Sequence, residues 1–289
     1  MYKRIRKYIS IFILLLIMAL LCSCGTEVPA IEIPDELKEA EVVEFSAIRD
    51  RKHIAGKLYL PAGKAPFPVV ILCHGFGGNM KNLEHYAEIL SNEGYAALIF
   101  DFIGGGRYIE SDGETTEMSV LTEEADLKAV IEQLNKSEGL DMSQIYLIGA
   151  SQGAFVTTCY AGDYPDQVKA MIALYPGYNM QDFVRARTNN GTDRSKTYNM
   201  SGITVGRIYV EDALSVDLDA EMRAYPGPVL IVHGDKDSIA PISYSQEAVK
   251  VFPNASLKTI AGGDHMFLRD EDDALCIGYM LEFLKGLNN

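Results

Sequence analysis

The sequence predicts an α/β fold in which a mostly parallel sheet is covered by helices on both faces. Apolar segments typical of buried strands alternate along the chain with segments of helical periodicity, which is the pattern of strands joined by helical crossovers. The 289 residues are 48% hydrophobic and 23% charged, so the chain has the composition of a globular protein and the length for a sizeable core.

The strands and helices can be assigned in chain order. An opening hairpin is predicted in VVEFSAI and IAGKLYLP. Buried strands are predicted in FPVVILCHG, YAALIFDF, QIYLIG, VKAMIALYP, GPVLIVHGD and ASLKTIAG. Helices are predicted in MKNLEHYAEILSNEG, in LTEEADLKAVIEQLNK with Thr122 as its N-cap, in AFVTTCYAGDYP and in DEDDALCIGYMLEFLKGL, whose acidic N-terminus suits the helix dipole.

One segment interrupts this alternation. Residues 178–226 are polar and irregular, and they lie between two predicted buried strands. A stretch of this length without regular structure is uncommon inside a compact domain unless it is functional. We therefore predict a small cap over the sheet, inserted in a domain that spans residues 41–289.

The first 23 residues have the layout of a secretory signal peptide. A segment with four lysines and arginines precedes an apolar run over residues 11–21. A membrane-spanning anchor is the alternative, but a span usually needs about 20 apolar residues and this run is shorter.

The end of the apolar run, Leu-Cys-Ser-Cys, resembles the lipobox of bacterial lipoproteins. The resemblance implies cleavage before Cys24 and lipidation of its thiol. Cys22 is the weaker alternative, because the bulky Leu21 would occupy the cleavage position. Residues 24–40 are polar with two prolines and are predicted to be a tether. The protein is thus expected outside the cytoplasm, held on a bacterial membrane through its acyl chains.

Charge and cysteine content limit the partners and cofactors. The formal net charge is −14, and residues 1–23 contain only basic charges, so the rest of the chain is more acidic still. An acidic surface argues against nucleic-acid binding. Cys73, Cys159 and Cys276 are predicted to be buried free thiols rather than disulfide partners. No pair of cysteine and histidine has the spacing of zinc ligands, and no metal or cofactor is expected.

Ser151 is the candidate nucleophile. The segment Gly149-Ala150-Ser151-Gln152-Gly153 fits the pattern Gly-x-Ser-x-Gly and lies where a predicted strand meets a predicted helix. The two glycines lack Cβ atoms, so the chain can turn tightly there and present the serine hydroxyl above the sheet. A serine hydroxyl is a weak nucleophile at neutral pH and requires a base.

His265 is the candidate base among five histidines. It lies in the glycine-flanked loop AGGDHMF, between a predicted strand and the last helix, and such a loop can reach the carboxyl edge of the sheet, where ligands of α/β folds bind. His53 and His85 are assigned structural roles, His233 is expected to hydrogen-bond a loop, and His74 is expected to brace its own loop.

The imidazole also requires an acid that fixes its tautomer. The segment HGDKDSIAP follows a predicted buried strand and offers two aspartates. Asp237 is preferred because it lies further into the loop, whereas Asp235 is close enough to the strand to brace the turn. Asp264, adjacent to the histidine, is the remaining alternative.

An oxyanion hole is expected from two backbone amides. The segment HGFGGN follows a predicted strand, and its glycines allow close approach of the backbone to a substrate. The predicted donors are the N–H of Phe76 and the N–H of Gln152, the residue after the nucleophile.

Nucleophile, acid and histidine occur in the order Ser, Asp, His, and from about Glu44 to the C-terminus the chain resembles the α/β-hydrolase superfamily. Within it the chain is similar to bacterial cinnamoyl and feruloyl esterases and their lipoprotein relatives. The segments that carry the resemblance are HGFGGNMKNLEHYAEILSNEGYAALIFDFIGGG, SDGETTEMSVLTEEADLKAVIEQL, GASQGA, VLIVHGDKDSIAP and GGDHMF. The resemblance implies that Ser151 is the nucleophile, Asp237 the acid and His265 the base, with Phe76 and Gln152 as oxyanion donors.

The sequence departs from these esterases in one loop. They often have Asp-Phe-x-Gly-His-Gly where this chain has residues 101–106 without the histidine, and the extra residues 107–110 follow. The expected function is cleavage of a small carboxylic ester, including hydroxycinnamoyl esters, through an acyl-enzyme. The alternatives are a lipase-like enzyme, a peptidase, and a non-catalytic binding module on the same fold.

Overall fold

The structure, a computed structural model, describes residues 28–287. The predicted signal peptide (1–23) and the predicted lipidation site Cys24 lie outside these residues. None of the helices within residues 28–287 combines the length and apolarity needed to cross a bilayer.

Twelve strands lie within residues 28–287, and eight of them form the central sheet. The strands are β1 (Glu36–Leu37), β2 (Glu41–Arg49), β3 (Lys52–Leu60), β4 (Gly63–Lys64), β5 (Phe67–Cys73), β6 (Ala96–Phe100), β7 (Leu140–Ala150), β8 (Ala170–Leu174), β9 (Thr197–Met200), β10 (Ile203–Gly206), β11 (Val229–Gly234) and β12 (Ala255–Ile260). The order in the sheet is β12-β11-β8-β7-β5-β6-β3-β2. Only β3 runs antiparallel to its neighbours, β2 and β6, and the other neighbouring pairs of this sheet are parallel.

Helices cover both faces of the sheet, as predicted. They are α1 (Glu84–Asn92), α2 (Val120–Leu134), α3 (Gln152–Asp163), α4 (Met180–Arg187), α5 (Arg207–Ser215), α6 (Leu218–Ala224), α7 (Ile242–Val251) and α8 (Asp270–Gly286), with short 3-10 turns at Met80–Leu83 and Pro165–Gln167. One apolar cluster joins one face of the sheet to α2, α3 and α7. A second cluster joins the other face to α1 and α8. The α/β fold class is thus confirmed. The prediction rested on continuous apolar runs, which a strand needs when both faces of its sheet are buried.

Helix α2 begins one turn earlier than the sequence indicated. The prediction of Thr122 as N-cap is wrong: Ser119 is the N-cap, and its hydroxyl accepts the backbone N–H of Thr122. Thr122 returns the bond, since its hydroxyl accepts the N–H of Ser119 at 2.7 Å. The two residues form a reciprocal capping box, in which threonine replaces the usual Glu or Gln at the third position.

The segment predicted as a cap, residues 178–226, contains α4, the hairpin of β9 and β10, α5 and α6. The hairpin pairs Thr197 with Gly206 and Met200 with Ile203. Helix α5 contacts α2, and α6 packs against α3. This segment therefore packs against α2 and α3, and α3 is the helix that follows β7.

Residues 28–40 belong to the segment predicted as a tether, and they lie against the domain. The N–H of Ile31 donates to the Ser137 hydroxyl at 3.0 Å, and the side chain of Gln133 donates to the carbonyl of Pro29 at 2.8 Å. Strand β1 pairs with β4, and Leu37 is buried. The described part of this segment thus follows the surface near the end of α2.

The cysteines within residues 28–287 are buried free thiols, as predicted. Cys73 ends β5, Cys159 lies in α3 and Cys276 lies in α8. Burial raises the pKa of all three thiols. Because the thiolate is the reactive form, these three side chains are packing residues.

Three carboxyl groups meet where the cap helix α6 contacts the core. Glu124 on α2 faces Asp163 at the end of α3 and Glu221 on α6. Burial, followed by the charge of Asp163, raises the pKa of Glu124 from 4.5 to about 8. Burial, again followed by Asp163, also raises the pKa of Glu221. Stability at this contact therefore depends on a proton held between carboxyl groups.

We expect Glu124→Gln to stabilise the protein at alkaline pH. The folded pKa lies above the unfolded value, so the stability linked to this proton is present below pH 4.5 and is lost as the pH rises towards about 8. Glutamine stays neutral throughout. The variant should melt a few degrees above the wild type at pH 9 and no higher than it at pH 4.5, measured by thermal denaturation. Glu132→Gln, on the exposed face of the same helix, is the control, and a difference for Glu124→Gln that is constant with pH would contradict the assignment.

Candidate active site

Ser151 lies in a strained turn between β7 and α3. Its backbone has φ 52° and ψ −117°, outside the conformations that residues other than glycine usually adopt. The strand ends at Ala150 and the helix begins at Gln152, so only this residue makes the turn. The strain is the local cost of presenting the hydroxyl above the edge of the sheet, as the Gly-x-Ser-x-Gly pattern predicted.

The two glycines of the pattern are required by close contacts. A Cβ on Gly153 would lie 2.1 Å from the carbonyl oxygen of Cys73, and a Cβ on Gly149 would lie 2.5 Å from the Cα of Ala154. Both obstacles are backbone atoms, which cannot rotate away as a side chain can. The turn therefore packs directly on β5 and on the first turn of α3.

Gly153→Ala is expected to destabilise the protein by several kcal/mol or to prevent folding, because the backbone at β5 must move to admit the methyl group. Gly278→Ala is the matched control. It lies within α8, and a Cβ there meets nothing within 4 Å, so alanine should be neutral or stabilising by up to about 1 kcal/mol. Urea denaturation of both variants measures the difference. Equal stabilities of the two variants would show that the turn at Ser151 tolerates a side chain at position 153.

The structure brings Ser151, His265 and Asp237 into one hydrogen-bonded chain. The Ser151 hydroxyl lies 3.1 Å from His265 Nε2, and His265 Nδ1 lies 2.6 Å from Asp237 Oδ2. Asp237 follows β11 and His265 follows β12, so both loops leave the same edge of the sheet as Ser151. With the Nδ1 proton donated to the carboxylate, Nε2 is free to accept the serine proton.

The Asp237 carboxylate accepts four hydrogen bonds. Oδ1 accepts the N–H groups of Ile239 (2.8 Å) and Ala240 (2.9 Å), and Oδ2 accepts from His265 and from His233 Nε2 at 3.0 Å. Burial raises the pKa of Asp237, but the hydrogen bonds from His233, His265 and Ala240 outweigh burial and hold the pKa well below its usual range. The acid is therefore charged throughout the pH range in which a histidine acts as a base.

His233 is a second histidine on the same carboxylate. The sequence indicated only that it would hydrogen-bond a loop. Its Nε2 lies between two acceptors, Asp237 Oδ2 and the carbonyl of Ala240 (2.8 Å), so this nitrogen carries the proton. Its Nδ1 then accepts the hydroxyl proton of Ser245 at 2.7 Å. The spacing of four residues between His233 and Asp237, across a strand end, is the signal that indicates this contact.

The two alternative acids, and His74 of the segment HGFGGN, make other contacts and do not bond to His265 or Ser151. Asp235 accepts the N–H of Gly262 at 2.7 Å and so braces the turn, and Asp264 accepts the N–H of Leu268 at 3.1 Å. His74 donates from Nδ1 to the carbonyl of Gly75 at 2.9 Å and accepts the N–H of Phe102 at Nε2. Burial lowers the pKa of His74, which keeps it in this neutral bracing form.

The two residues predicted to supply oxyanion donors lie at the cavity beside Ser151. Phe76 and Gln152 both line it, and within residues 28–287 neither N–H donates to a protein acceptor. Gly75 allows the loop after β5 to lie close to Ser151, since a Cβ on Gly75 would lie 3.0 Å from the Cβ of Ser151. Gln152 is the first residue of α3, where helical N–H groups lack partners and the helix dipole is positive. This arrangement can stabilise a developing oxyanion.

The side chain of Gln152 links the turn at Ser151 to helix α2 and to the cap. Its amide nitrogen donates to the Glu123 carboxylate on α2 at 2.7 Å, and its carbonyl oxygen accepts the hydroxyl proton of Tyr209 on α5 at 2.8 Å. Burial raises the pKa of Glu123 well above its usual range. The Tyr209 ring also packs against the Phe76 ring, with 5.4 Å between centroids. Phe76 and Gln152, the two predicted oxyanion donors, therefore both contact Tyr209 of the cap.

Ser151 opens onto a cavity of about 530 Å³. Apolar side chains from the cap and from the loops line much of it, among them Met180, Phe183, Ile239 and Met266. Tyr175 also lines it and packs edge-on against the His265 ring, with 4.9 Å between centroids. A cavity of this size and character suits a small organic molecule.

Comparison with known proteins agrees with the geometry. Residues 64–197 match the family model described as "Hydrolase_4: Serine aminopeptidase, S33". Est1E from Butyrivibrio proteoclasticus, in a structure with bound ferulic acid, is 26% identical with a TM-score of 0.72, covering 82% of this chain and 98% of that one. The chain belongs to the α/β-hydrolase superfamily.

Curated relatives are similar over different lengths. The quorum-quenching protein AidA of Acinetobacter baumannii is 24% identical, covering 80% of this chain and 90% of its own. An uncharacterized 31.7 kDa protein of Escherichia coli is 36% identical over 102 residues, which is 35% of this chain. That match spans only about a third of the relative's length (34%). Similarity of this extent supports a shared fold but does not identify a substrate.

Proposed function

We propose that the protein is a serine hydrolase that cleaves carboxylic esters through an acyl-enzyme. The hydrogen-bonded chain from Ser151 through His265 to Asp237, beside two amides without protein acceptors, is the observation that carries this proposal. The distances from Ser151 to His265 and from His265 to Asp237 are those that acyl transfer requires.

In the first half of the reaction, Ser151 Oγ attacks the carbonyl carbon while its proton moves to His265 Nε2. The oxyanion accepts hydrogen bonds from the N–H groups of Phe76 and Gln152. Its collapse breaks the bond to the alcohol, which leaves with the proton from His265. In the second half, water gives a proton to His265 and attacks the acyl-enzyme, and Ser151 regains its proton as the carboxylic acid departs.

An ester is favoured over the peptide substrate that the family description names. An aminopeptidase holds the free ammonium group of its substrate, for which a carboxylate is the natural partner. Among the described residues that line the cavity there is no aspartate or glutamate. Ferulic acid bound to Est1E supports an acyl group of hydroxycinnamoyl size as one candidate, and the mostly apolar lining supports other small acyl groups.

The signal peptide and lipobox motif support an extracytoplasmic, lipid-anchored location through Cys24, which we propose for the full chain. Expression with radiolabelled palmitate tests it. The wild type should incorporate label and partition with membranes, and Cys24→Ala should do neither. Label retained in Cys24→Ala would move the anchor to Cys22, and absence of label in the wild type would contradict the lipid anchor.

A fluorophosphonate probe and a substrate panel test the activity. The probe should label the purified protein once, and peptide mapping should place the adduct on Ser151. The panel comprises 4-nitrophenyl esters of increasing acyl length, methyl ferulate and aminoacyl 4-nitroanilides. Absence of labelling and of ester turnover in folded protein favours the binding module. Faster cleavage of anilides favours the peptidase. Preference for the longest acyl chains favours a lipase-like enzyme, and preference for short aliphatic acyl groups over ferulate removes only the hydroxycinnamoyl candidate.

A further inference from the structure

The cavity at Ser151 has a charge opposite to that of the whole protein. The chain carries a formal net charge of −14, yet within residues 28–287 no acidic side chain lines this cavity. Among the same residues, Arg107 is the one lysine or arginine that lines it. An acidic protein therefore presents a single permanent positive charge to whatever occupies the cavity.

The backbone of Arg107 is fixed to the loop that supplies an oxyanion donor. Its carbonyl accepts the side-chain amide of Asn79 at 3.1 Å, and the preceding Gly106 forms a β-bridge with Gly77, the residue after Phe76. The contact is close, since a Cβ on Gly106 would lie 1.7 Å from the carbonyl oxygen of Gly78. Arg107 thus has a defined origin beside the reacting centre, although it belongs to the extra residues 107–110.

The side chain of Arg107 spans from this loop to the cap. Its Nη2 donates to the carbonyl of Gly202, in the turn between β9 and β10, at 2.8 Å. Within residues 28–287 the guanidinium makes no ion pair with an aspartate or glutamate. A guanidinium has five N–H donors in a planar fork, so most of them remain available. The charge is therefore held in place by the cap turn without being neutralised.

We propose that the substrate of this enzyme carries an anionic group, such as a carboxylate, and that Arg107 binds it. The inference rests on the proposed esterase function and names the class of ester. A carboxylate pairs with a guanidinium through two parallel charge-assisted hydrogen bonds. The acidic surface repels an anionic substrate. Inside the cavity, however, Arg107 is the charge that the substrate meets, and no acidic side chain of residues 28–287 lines the cavity to oppose it, so the cavity prefers an anion.

Two matched pairs of esters test the proposal. In the first pair, 4-acetoxybenzoate and its neutral amide 4-acetoxybenzamide, the anion is on the leaving alcohol. In the second, 4-nitrophenyl adipate monoester and its methyl diester, the anion is on the acyl group. The wild type should prefer the charged member of one pair, and the pair concerned shows which side of the ester faces Arg107. The preference should weaken in 0.5 M NaCl, since salt screens an exposed charge.

Arg107→Gln should lower kcat/KM for the preferred anionic ester by about tenfold and that for its neutral partner by less than about twofold. Arg107→Lys should retain part of the preference, because charge remains without the fork. Arg223→Gln is the control for net charge, since Arg223 is exposed on α6 and outside the cavity lining. Circular dichroism verifies that each variant folds.

Three results would overturn the inference: no preference for either anion in the wild type, an equal loss for both members of a pair in Arg107→Gln, or the same change in Arg223→Gln. All three require an active esterase. A wild type that hydrolyses none of the four esters and takes no fluorophosphonate contradicts the proposed function instead.

Discussion

Ser151→Ala is expected to lower kcat for 4-nitrophenyl acetate by about 10⁴-fold or more and to abolish fluorophosphonate labelling. Alanine removes the oxygen that forms the acyl-enzyme and leaves His265 with no proton to accept from the protein. The oxyanion amides and the cavity remain, so a small residual rate above the uncatalysed reaction should persist. Steady-state kinetics and labelling of the same preparation measure both effects.

Ser143→Ala is the control for this experiment. Ser143 lies on the same strand, β7, but it is exposed, and among residues 28–287 its hydroxyl bonds only to Asp141. Its variant should have the activity of the wild type. If Ser151→Ala retained a tenth of the activity or still reacted with the probe, another side chain would be the nucleophile and the chain from Ser151 to His265 would be structural.

The sequence predicted this site because each part follows its own buried strand. Parallel strands end at one edge of a sheet, so Ser151 after β7, Asp237 after β11 and His265 after β12 had to meet there. The loop with Phe76 follows β5, next to β7 in the sheet. The apolar runs predicted where the strands lie, and the ends of the parallel strands define the carboxyl edge of the sheet.

Contacts between distant segments were beyond the sequence. Nothing in the chain indicates that the Gln152 side chain binds Glu123 and Tyr209, which lie 29 and 57 residues away. Those bonds depend on where the cap is seated, and the cap is the segment without periodicity. The position of Arg107 in the cavity has the same origin, since the departure from related esterases was visible in the sequence but the bond to Gly202 was not.

Local capping was also misjudged for a physical reason. Ser119 and Thr122 are both good N-cap residues, and they are spaced as the two ends of one capping box. Choosing between them requires knowing which residue leaves the helix, and that depends on the loop before α2. For the two aspartates, by contrast, distance from the strand end was a sufficient guide to position: Asp237 contacts His265, and Asp235 braces the turn.

Asp237→Asn is expected to lower kcat by about 10³- to 10⁴-fold through a change of tautomer. Oδ1 is held by the N–H groups of Ile239 and Ala240, so the amide oxygen of asparagine takes that place. The NH₂ group then faces His265 Nδ1, which must become an acceptor. The proton of His265 moves to Nε2, where it faces the Ser151 hydroxyl and blocks proton abstraction.

The same NH₂ group would also face the proton on His233 Nε2, so a structural effect accompanies the catalytic one. A carboxylate with a depressed pKa stabilises the fold above its unfolded pKa of 3.8, and this stability is lost as the pH falls through the lower folded value. Asp237→Asn should therefore melt below the wild type at pH 7, with a smaller difference near pH 3. Asp235→Asn, which affects one turn bond, should keep its activity within a few-fold. An equal loss in both variants would mean that the loop, rather than the carboxylate on His265, sets the rate.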